Sequence, residues 1–460
     1  MTAPRQPPPP GSYADAVRAL QARGRFGIRL GLGRTRAILR ELGDPQLGLR
    51  GALVAGTNGK GSVLAMTGSI LRAAGLRVGE TPKPHLVTYR ERIQVDGRPI
   101  DPASFARLVA QVGPIADRVA RRLGDPTEFE LLTAVVFLWF AEVGVDVALV
   151  EVGLGGRLDA THAWDGGVAV VTTVDLDHMD RLGPTIRHIA REKAAIIERG
   201  DRAVTGATGD ALAIVRRRAR RLDVPLIEVR PPPILETTRD GIVVDLPGLG
   251  PTAVGLRGRH QAENAAVADA TLDALAAAGI ASVTAVDRAA GYAAARWPGR
   301  LELLSVGGHD VLLDGAHNPA GAAALARALD DLRPFLEGGA AAPGNRPPIT
   351  FLTASMADKD VAGVVRALAD SDALRDARII CTALDLPRAL PADALAAAWS
   401  ADRGDRIVRV EPDLATALGR VLDSAPGPIV VAGSLYLVGA VRARLVDDPL
   451  LRDPEDPTDR

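Results

Sequence analysis

The chain has 460 residues, 47% apolar and 24% charged, with a formal net charge of −1. That length suits two or more domains of roughly 100–200 residues each. The charge balance argues against a broad nucleic-acid or membrane-binding surface, and 3% aromatic residues are too few for base-stacking platforms. Cys381 is the single cysteine, which excludes internal disulfides and cysteine-rich metal sites and fits a reducing cytoplasm.

In chain order, Pro4–Pro10 is a proline-rich stretch with no apolar core, read as disordered tail and not as a signal peptide. Leu53-Val54-Ala55 reads as a strand and Ser62 to Ala74 as a helix, joined by Gly56-Thr57-Asn58-Gly59-Lys60-Gly61-Ser62. A glycine-rich turn between an apolar strand and a helix lets backbone N–H groups close around phosphate oxygens, with a lysine reaching the outer phosphates. Thr57, Asn58, Gly59, Lys60, Gly61 and Ser62 are therefore candidate ATP-binding residues, and Ser62 is placed to ligate Mg²⁺. A purely structural turn is the alternative.

Leu131 to Val150 is the longest apolar segment, but Glu142, Gly144 and Asp146 interrupt it, so it reads as a buried helix followed by a buried strand. Val147–Val150 and Val168–Val171 are strands on either side of a glycine loop. Glu151 follows the first of them and Asp177-His178 the second, at the strand carboxyl ends where open α/β sheets bind ligands. Lys193 lies in a helical run, Ile186 to Glu198.

A second α/β series begins after Trp297-Pro298-Gly299-Arg300, with strand cores Val311–Leu313, Ile349–Leu352, Ile379-Ile380 and Ile429–Val431. Ala320–Leu332 and Val361–Ala369 are helices between them, and Gly338–Pro348 reads as a mobile loop. The fold class is α/β with two domains: an N-terminal ATPase-like parallel sheet and a smaller C-terminal Rossmann-like domain. The expected division is a flexible tail over 1–25, an ATP-binding domain over 26–296, a second domain over 297–446 and a flexible tail over 447–460.

Only four lysines occur, Lys60, Lys83, Lys193 and Lys359, against 55 lysines and arginines together. Arginine replaces lysine on a solvated surface at little cost, but not where a compact charge or a deprotonatable amine is required. The surviving lysines mark places to look for chemistry.

Seven motifs in one order resemble the folylpolyglutamate synthases within the Mur-type amide ligases. They are Val54–Ser62, Glu151–Ala160, Leu176–His178, Glu192-Lys193-Ala194, Gly258–Gln261 with Asn264, Trp297–Arg300 and Asp314–Pro319. The resemblance covers the chain from about Phe26 to Val441 and implies a Mur ligase central-type first domain. It implies an ATP-dependent ligase that adds L-glutamate to a folate-type carboxylate, tetrahydrofolate polyglutamate and/or dihydropteroate, through an acyl phosphate. Glu151 and His178 would ligate Mg²⁺ with Ser62, at two sites, and Lys193 would carry a carbamate that is also a ligand. Lys60, Lys193 and His317 would be catalytic. Asn264 would contact the adenine side, Arg300 and His317 the phosphates, and Asp314 the ribose or phosphate, with the nucleotide between the domains. A monovalent cation is compatible with the pattern. A monomer without nucleic-acid or membrane partners is expected, in the cytoplasm. The alternatives are a Mur-type ligase for another carboxylate and a nucleotide-binding module without catalysis.

The pattern departs from the family where Ser-Pro-His-Leu is usual: here Thr81-Pro82-Lys83-Pro84-His85-Leu86 puts Lys83 in the serine place. Either Lys83 supplies part of the cationic charge near the terminal phosphate and remodels the metal site, or it points away and Thr81 or water fills the position. Lys83, His85 and Phe129 are the candidate substrate residues, the last as a ring that stacks a pterin near Thr127–Glu130 or as an ordinary core side chain. His162, where asparagine is usual, reads as a tolerated loop change.

Overall fold

The structure, a computed structural model, describes residues 11–24, 29–339, 341–342, 345–402 and 407–454. The chain divides into two compact units, one of Met1–Arg230, Asn264–Gly291 and Pro449–Arg460, the other of Pro231–Glu263 and Tyr292–Asp448.

The first unit opens with helices α1 (Tyr13–Gly24) and α2 (Gly33–Glu41), then β1 (Gly51–Ala55), α3 (Lys60–Ala73), β2 (Val78–Thr81) and the short pair β3 (Gln94–Val95) and β4 (Arg98–Pro99). Helices α4 (Pro102–Leu123) and α5 (Glu128–Val143) precede β5 (Val147–Glu151) and β6 (Gly167–Val171). Helices α6 (Met179–Leu182) and α7 (Ile186–Ala194), strand β7 (Arg202–Thr205), α8 (Gly209–Leu222) and β8 (Leu226–Glu228) follow. The sheet order is β4-β3-β2-β5-β1-β6-β7-β8, parallel from β2 to β8, with β3 and β4 antiparallel at one edge. β1 and β5 are buried at every residue, as continuous apolar runs covered on both faces must be. Their register pairs Val54 with Glu151 and Ala55 with Val171, so the carboxyl ends of β1, β5 and β6 lie level. The interrupted apolar run resolves as expected: Gly144, at φ +63°, closes α5 and lets β5 begin three residues later.

The second unit has a three-stranded antiparallel sheet of β9 (Ile234–Thr237), β10 (Ile242–Leu246) and β11 (Gly250–Val254). Helices α9 (Gln261–Ala277) and α10 (Ala285–Ala294) come next in the chain and fall mostly in the first unit. Then follow β12 (Glu302–Val306), β13 (His309–Asp314), α11 (Pro319–Leu332), β14 (Thr350–Thr353), α12 (Val361–Ala369), β15 (Arg378–Cys381), α13 (Ala392–Asp402), β16 (Ile407–Val410), α14 (Leu414–Ser424), β17 (Ile429–Ala432) and α15 (Leu435–Leu445). The order β12-β13-β17-β14-β15-β16 is parallel except for β12, the Rossmann-like pattern.

Three expectations about organisation change. The stretch taken as flexible over 1–25 contains α1, which buries Tyr13, Ala16 and Leu20 because those apolar residues recur at helical spacing; residues 1–10 and 25–28 lie outside the described ones. A single cut at 296/297 is replaced by an interleaved division. The β9–β11 sheet belongs with the second unit, where the Arg239 guanidinium pairs with the Asp310 carboxylate at 2.6 and 2.9 Å. The tail expected over 447–460 is anchored at Asp453, which Arg90 and Thr88 hold in the first unit; residues 455–460 are not described. The helix carrying Lys193 ends at Ala194, short of Glu198. Among the described residues no helix is long and apolar enough to cross a membrane.

Candidate active site

β1 ends at Ala55 and the chain turns through Gly56–Gly59 into α3. Two glycines allow the turn. A Cβ on Gly56 would stand 1.8 Å from Thr172 Oγ1, and Gly59 has φ +85° with Asn264 Oδ1 only 2.3 Å from its Cβ position. Strand-end threonines fasten the turn: Thr172 Oγ1 donates to Asn58 O at 2.7 Å and Thr173 Oγ1 to the same atom at 3.2 Å. Thr57 Oγ1 donates to Asp175 O at 3.1 Å and accepts from Asp175 N at 3.0 Å. Ser62 is buried in the first turn of α3, where the unpaired N–H groups of a helix start give positive potential.

Two lysines converge on this turn. Lys60 Nζ donates to Gly56 O and Thr57 O at 3.1 Å each and stands 3.8 Å from Glu151 Oε1. Lys193 Nζ donates to the same Gly56 O at 2.7 Å. Lys193 is only 5% exposed. Burial first, then the Lys60 charge, push its pKa down to about 7, against the pull of Asp177 and Asp159. The glycine loop after β5 makes room for it. Arg157 N donates to Glu192 O at 3.0 Å, and a Cβ on Gly156 would stand 2.7 Å from that oxygen.

Glu151, the last residue of β5, is 3% exposed. Its Oε2 accepts from Lys83 N at 3.0 Å, and its backbone carbonyl accepts from Lys83 Nζ. The same Nζ lies 4.9 Å from the centre of the Phe129 ring, within reach of a cation–π attraction. Burial pushes Lys83 down to about 8, opposed by Asp159 and Glu151, so it is mostly a cation at neutral pH. Lys83 is thus turned inward, and the arrangement in which it points away does not occur. Thr81 Oγ1 is buried and finds no hydrogen-bond partner among the described residues. A small apolar cavity is lined by Thr81, Lys83, Phe129, Thr133, Phe137 and Val150.

Thr127–Glu130 is a capping box at the start of α5: Thr127 N donates to Glu130 Oε2 at 2.8 Å and Glu130 N to Thr127 Oγ1 at 3.3 Å. The box sets the first turn of α5 and so aims Phe129 at Lys83. His85 Nδ1 accepts from Arg92 Nε at 2.8 Å and its ring packs on Tyr89 with centres 4.5 Å apart. Burial and then Arg92 push His85 down to about 3, so it is neutral with its proton on Nε2. His178 is the outlier of the expected set. It caps α6 at φ +48° with its side chain 43% exposed, 3.9 Å from Asp177 Oδ2. His162 is held within its loop: its Nδ1 donates to Arg157 O at 3.2 Å and its Nε2 stands 3.1 Å from Glu198 Oε1.

In the second unit Arg300, Asp314 and His317 meet at the carboxyl end of β13. Asp314 Oδ2 accepts from Leu301 N and Oδ1 from Ala316 N, both at 2.9 Å, and burial pushes its pKa up against the pull of Arg300. That carboxylate holds Leu301 at φ +45°, a left-handed conformation costly for a leucine. Arg300 Nη1 donates to Gly299 O at 3.1 Å, and His317 Nδ1 donates to Gly315 O at 2.8 Å.

Among the described residues no three His, Cys, Asp or Glu side chains gather into a metal cage. The hard oxygens of Glu151 and Ser62 beside the phosphate-type turn suit Mg²⁺, which takes few protein ligands and keeps water and phosphate oxygens. Sequence reasoning missed the Thr172-Thr173 fasteners and the capping box. Paired threonines after an apolar strand and the Thr-x-x-Glu spacing were the available signals.

Two α/β units, the first with a glycine turn under two lysines and a strand-end carboxylate, define a ligase of the Mur-type fold. Residues 301–445 match the family described as dihydrofolate synthetase, C-terminal domain. The dihydrofolate synthase/folylpolyglutamate synthase of Bacillus subtilis is 33% identical, over 94% of this chain and 99% of that protein. The Mycobacterium tuberculosis protein of the same name is 36% identical, over 91% and 90%. The crystal structure of Mycobacterium tuberculosis folylpolyglutamate synthase complexed with ADP and AMPPCP matches at TM-score 0.81 and 33% identity, over 95% of this chain and 100% of that one. E. coli FolC in complex with DHPP and ADP matches at TM-score 0.79 and 29% identity, over 94% and 97%. The chain belongs to the folylpolyglutamate synthase/dihydrofolate synthase family.

Proposed function

We propose that this ligase uses ATP to join the amine of L-glutamate to a folate-type carboxylate, tetrahydrofolate polyglutamate and/or dihydropteroate. The observation that carries the reading is the convergence of Lys60, Lys193 and Glu151 at the Gly56 turn. The nucleotide complexes of the related structures support the choice of ATP.

A carboxylate oxygen of the acceptor attacks the γ-phosphorus and ADP leaves, giving an acyl phosphate. The glutamate nitrogen then attacks the acyl carbon, loses a proton, and phosphate departs with the former carboxylate oxygen. The turn's N–H groups and Lys60 bind the phosphates and offset charge that grows on the transferring oxygens. Lys83 offers its cation, and Phe129 a ring face, on the acceptor side of Glu151. Glu151 and Ser62, with His178, would hold Mg²⁺, which when bound neutralises phosphate charge. Lys193 would take up CO₂ as a carbamate, releasing one proton, because a buried amine near neutrality has the free lone pair that a surface lysine lacks. Asn264, Arg300 and His317 are assigned to the nucleotide, with Asp314 shaping the loop that bears His317.

The test is to incubate the protein with ATP, Mg²⁺ and L-glutamate, once with dihydropteroate and once with tetrahydrofolate, and to weigh the products. A gain of one glutamyl residue is expected on at least one acceptor. No glutamyl product from either, with turnover on a nucleotide-sugar acid instead, overturns the assignment.

A further inference from the structure

The loop that carries Lys83 and His85 is held from behind by two segments remote in the chain. After His85 the loop turns through a short 3-10 helix, Tyr89–Arg92, with Thr88 as its cap. Glu91 faces back along the loop and accepts from the N–H groups of Leu86 at 3.2 Å and of Val87 and Thr88 at 2.7 Å. Arg92 reaches forward to His85, as described. Arg90 and Thr88 face the other way.

Thr88 Oγ1 is 2.6 Å from Asp453 Oδ1 and 2.9 Å from Tyr13 Oη. A carboxylate only accepts, so Thr88 donates to Asp453 and its remaining lone pair takes the Tyr13 proton. The chain of donors therefore runs Tyr13 to Thr88 to Asp453 in one direction. Arg90 Nε donates to the same Asp453 Oδ1 at 3.2 Å, its Nη2 to Arg452 O at 2.9 Å and its Nη1 to Ile100 O at 3.2 Å. Its guanidinium lies 5.8 Å from the Tyr13 ring centre. Arg90 is 4% exposed, and a buried guanidinium that loses its carboxylate is left with a costly unpaired charge. The segment Pro449–Arg460 belongs to the first unit although the residues before it, Tyr292–Asp448, belong to the second. It returns to the first unit and supplies the counter-charge for this turn.

We propose that Asp453 is a positioning residue for the ligase reaction: through Thr88 and Arg90 it fixes the turn that sets Lys83 and His85 toward the acceptor carboxylate. The inference rests on the reading that this loop faces the acceptor. It assigns to the 449–454 strap control chiefly over acceptor affinity, because among the described residues Arg90 and Thr88 make no hydrogen bond to the Gly56–Ser62 turn.

Asp453 is partly exposed, so Asp453→Ala should fold. The test compares Asp453→Ala, Asp453→Asn and a chain ended after Asp448 with the parent, measuring KM for tetrahydrofolate and for ATP, kcat, and amide exchange without ligands. Asp453→Ala should raise KM for the acceptor roughly five- to ten-fold with KM for ATP unchanged. Asp453→Asn keeps one acceptor oxygen for Thr88 and Arg90 but not the charge, and should restore only part of the difference. Amide exchange should quicken at Val87–Arg92 and stay unchanged in α3. Unchanged exchange at Val87–Arg92 in both Asp453→Ala and the shortened chain overturns the positioning role itself. Quickened exchange with unchanged acceptor KM leaves the clamp intact but contradicts the claim that this loop meets the acceptor. An equal rise in both KM values reduces Asp453 to a general stabiliser and also overturns the proposal.

Discussion

Two carboxylates occupy equivalent places, at the carboxyl ends of parallel strands, and make different contacts. Glu151 ends β5 with one oxygen on the Lys83 N–H and the other facing Lys60 at 3.8 Å. Asp314 ends β13 with each oxygen on a backbone N–H, one of them that of a strained Leu301. Position at a strand end brings a side chain to the ligand edge of the sheet. The hydrogen-bond inventory then decides whether it meets a ligand or shapes the backbone around one. Glu151 is flanked by Lys60 and Lys83. Asp314 is a clasp.

The sharpest way to break the contrast is at Glu151. Glu151→Gln keeps the size and the Lys83 contact but removes the charge, and it should lower kcat by on the order of a hundred- to a thousand-fold with little change in Tm. An active Glu151→Gln enzyme would remove the carboxylate from the reaction.

Lys193 comes next. Lys193→Met should cost on the order of a hundred-fold in kcat and abolish the bicarbonate-dependent mass gain of one CO₂ that the account expects of the parent in an intact-protein mass measurement. Because the amine's pKa is pushed down to about 7, uptake should rise with pH through that value and fade below it. The same shift bears on stability. A lysine whose folded pKa lies below the unfolded one favours folding fully above its ordinary value, and that contribution is lost as pH falls toward about 7. Replacing Lys193 by Met should flatten this part of the pH–stability slope. Mass gain at Lys193 that is independent of pH between 6 and 9 would contradict the account.

Asp314→Asn should act in the opposite sense to Glu151→Gln. It leaves a buried N–H poorly matched, a loss of about 1–3 kcal/mol, and so lowers Tm by several degrees while kcat changes little. A large rise in KM for ATP with no change in Tm would make Asp314 a ligand and not a clasp.

The smallest effect is expected at Lys83. If its cation shares the charge of the terminal phosphate, Lys83→Ser should shift the Mg²⁺ concentration for half-maximal rate by roughly two- to five-fold. An unchanged Mg²⁺ dependence would restrict Lys83 to the acceptor side.

Much of the first unit was legible in the sequence because its signals are local. An apolar run followed by Gly56–Ser62 and a helix needs no partner to be read, and the Gly144 stop inside a long apolar segment is equally self-contained. Lys193 stood out because arginine has replaced nearly every other lysine. The rest depends on contacts far apart in the chain. Nothing near Lys83 says that its amine turns onto the Glu151 carbonyl, since that requires β2 and β5 to be neighbours. Nothing in Asp453 says that it meets Arg90, 363 residues away. The β9–β11 sheet is hard to read in the sequence because short half-exposed strands carry weak alternation, and α1 because the proline run before it suggests a longer tail. His178 was carried by resemblance, and the structure leaves it more exposed than the side chains around Gly56.

We propose above all that this site activates a carboxylate by phosphorylating it before glutamate attacks. The direct measurement is to label the acceptor's carboxylate with ¹⁸O, run a single turnover with ATP and L-glutamate, and analyse the phosphate released. Transfer of one ¹⁸O atom into inorganic phosphate is the predicted result. Phosphate that carries no label, with glutamyl product formed, would contradict it.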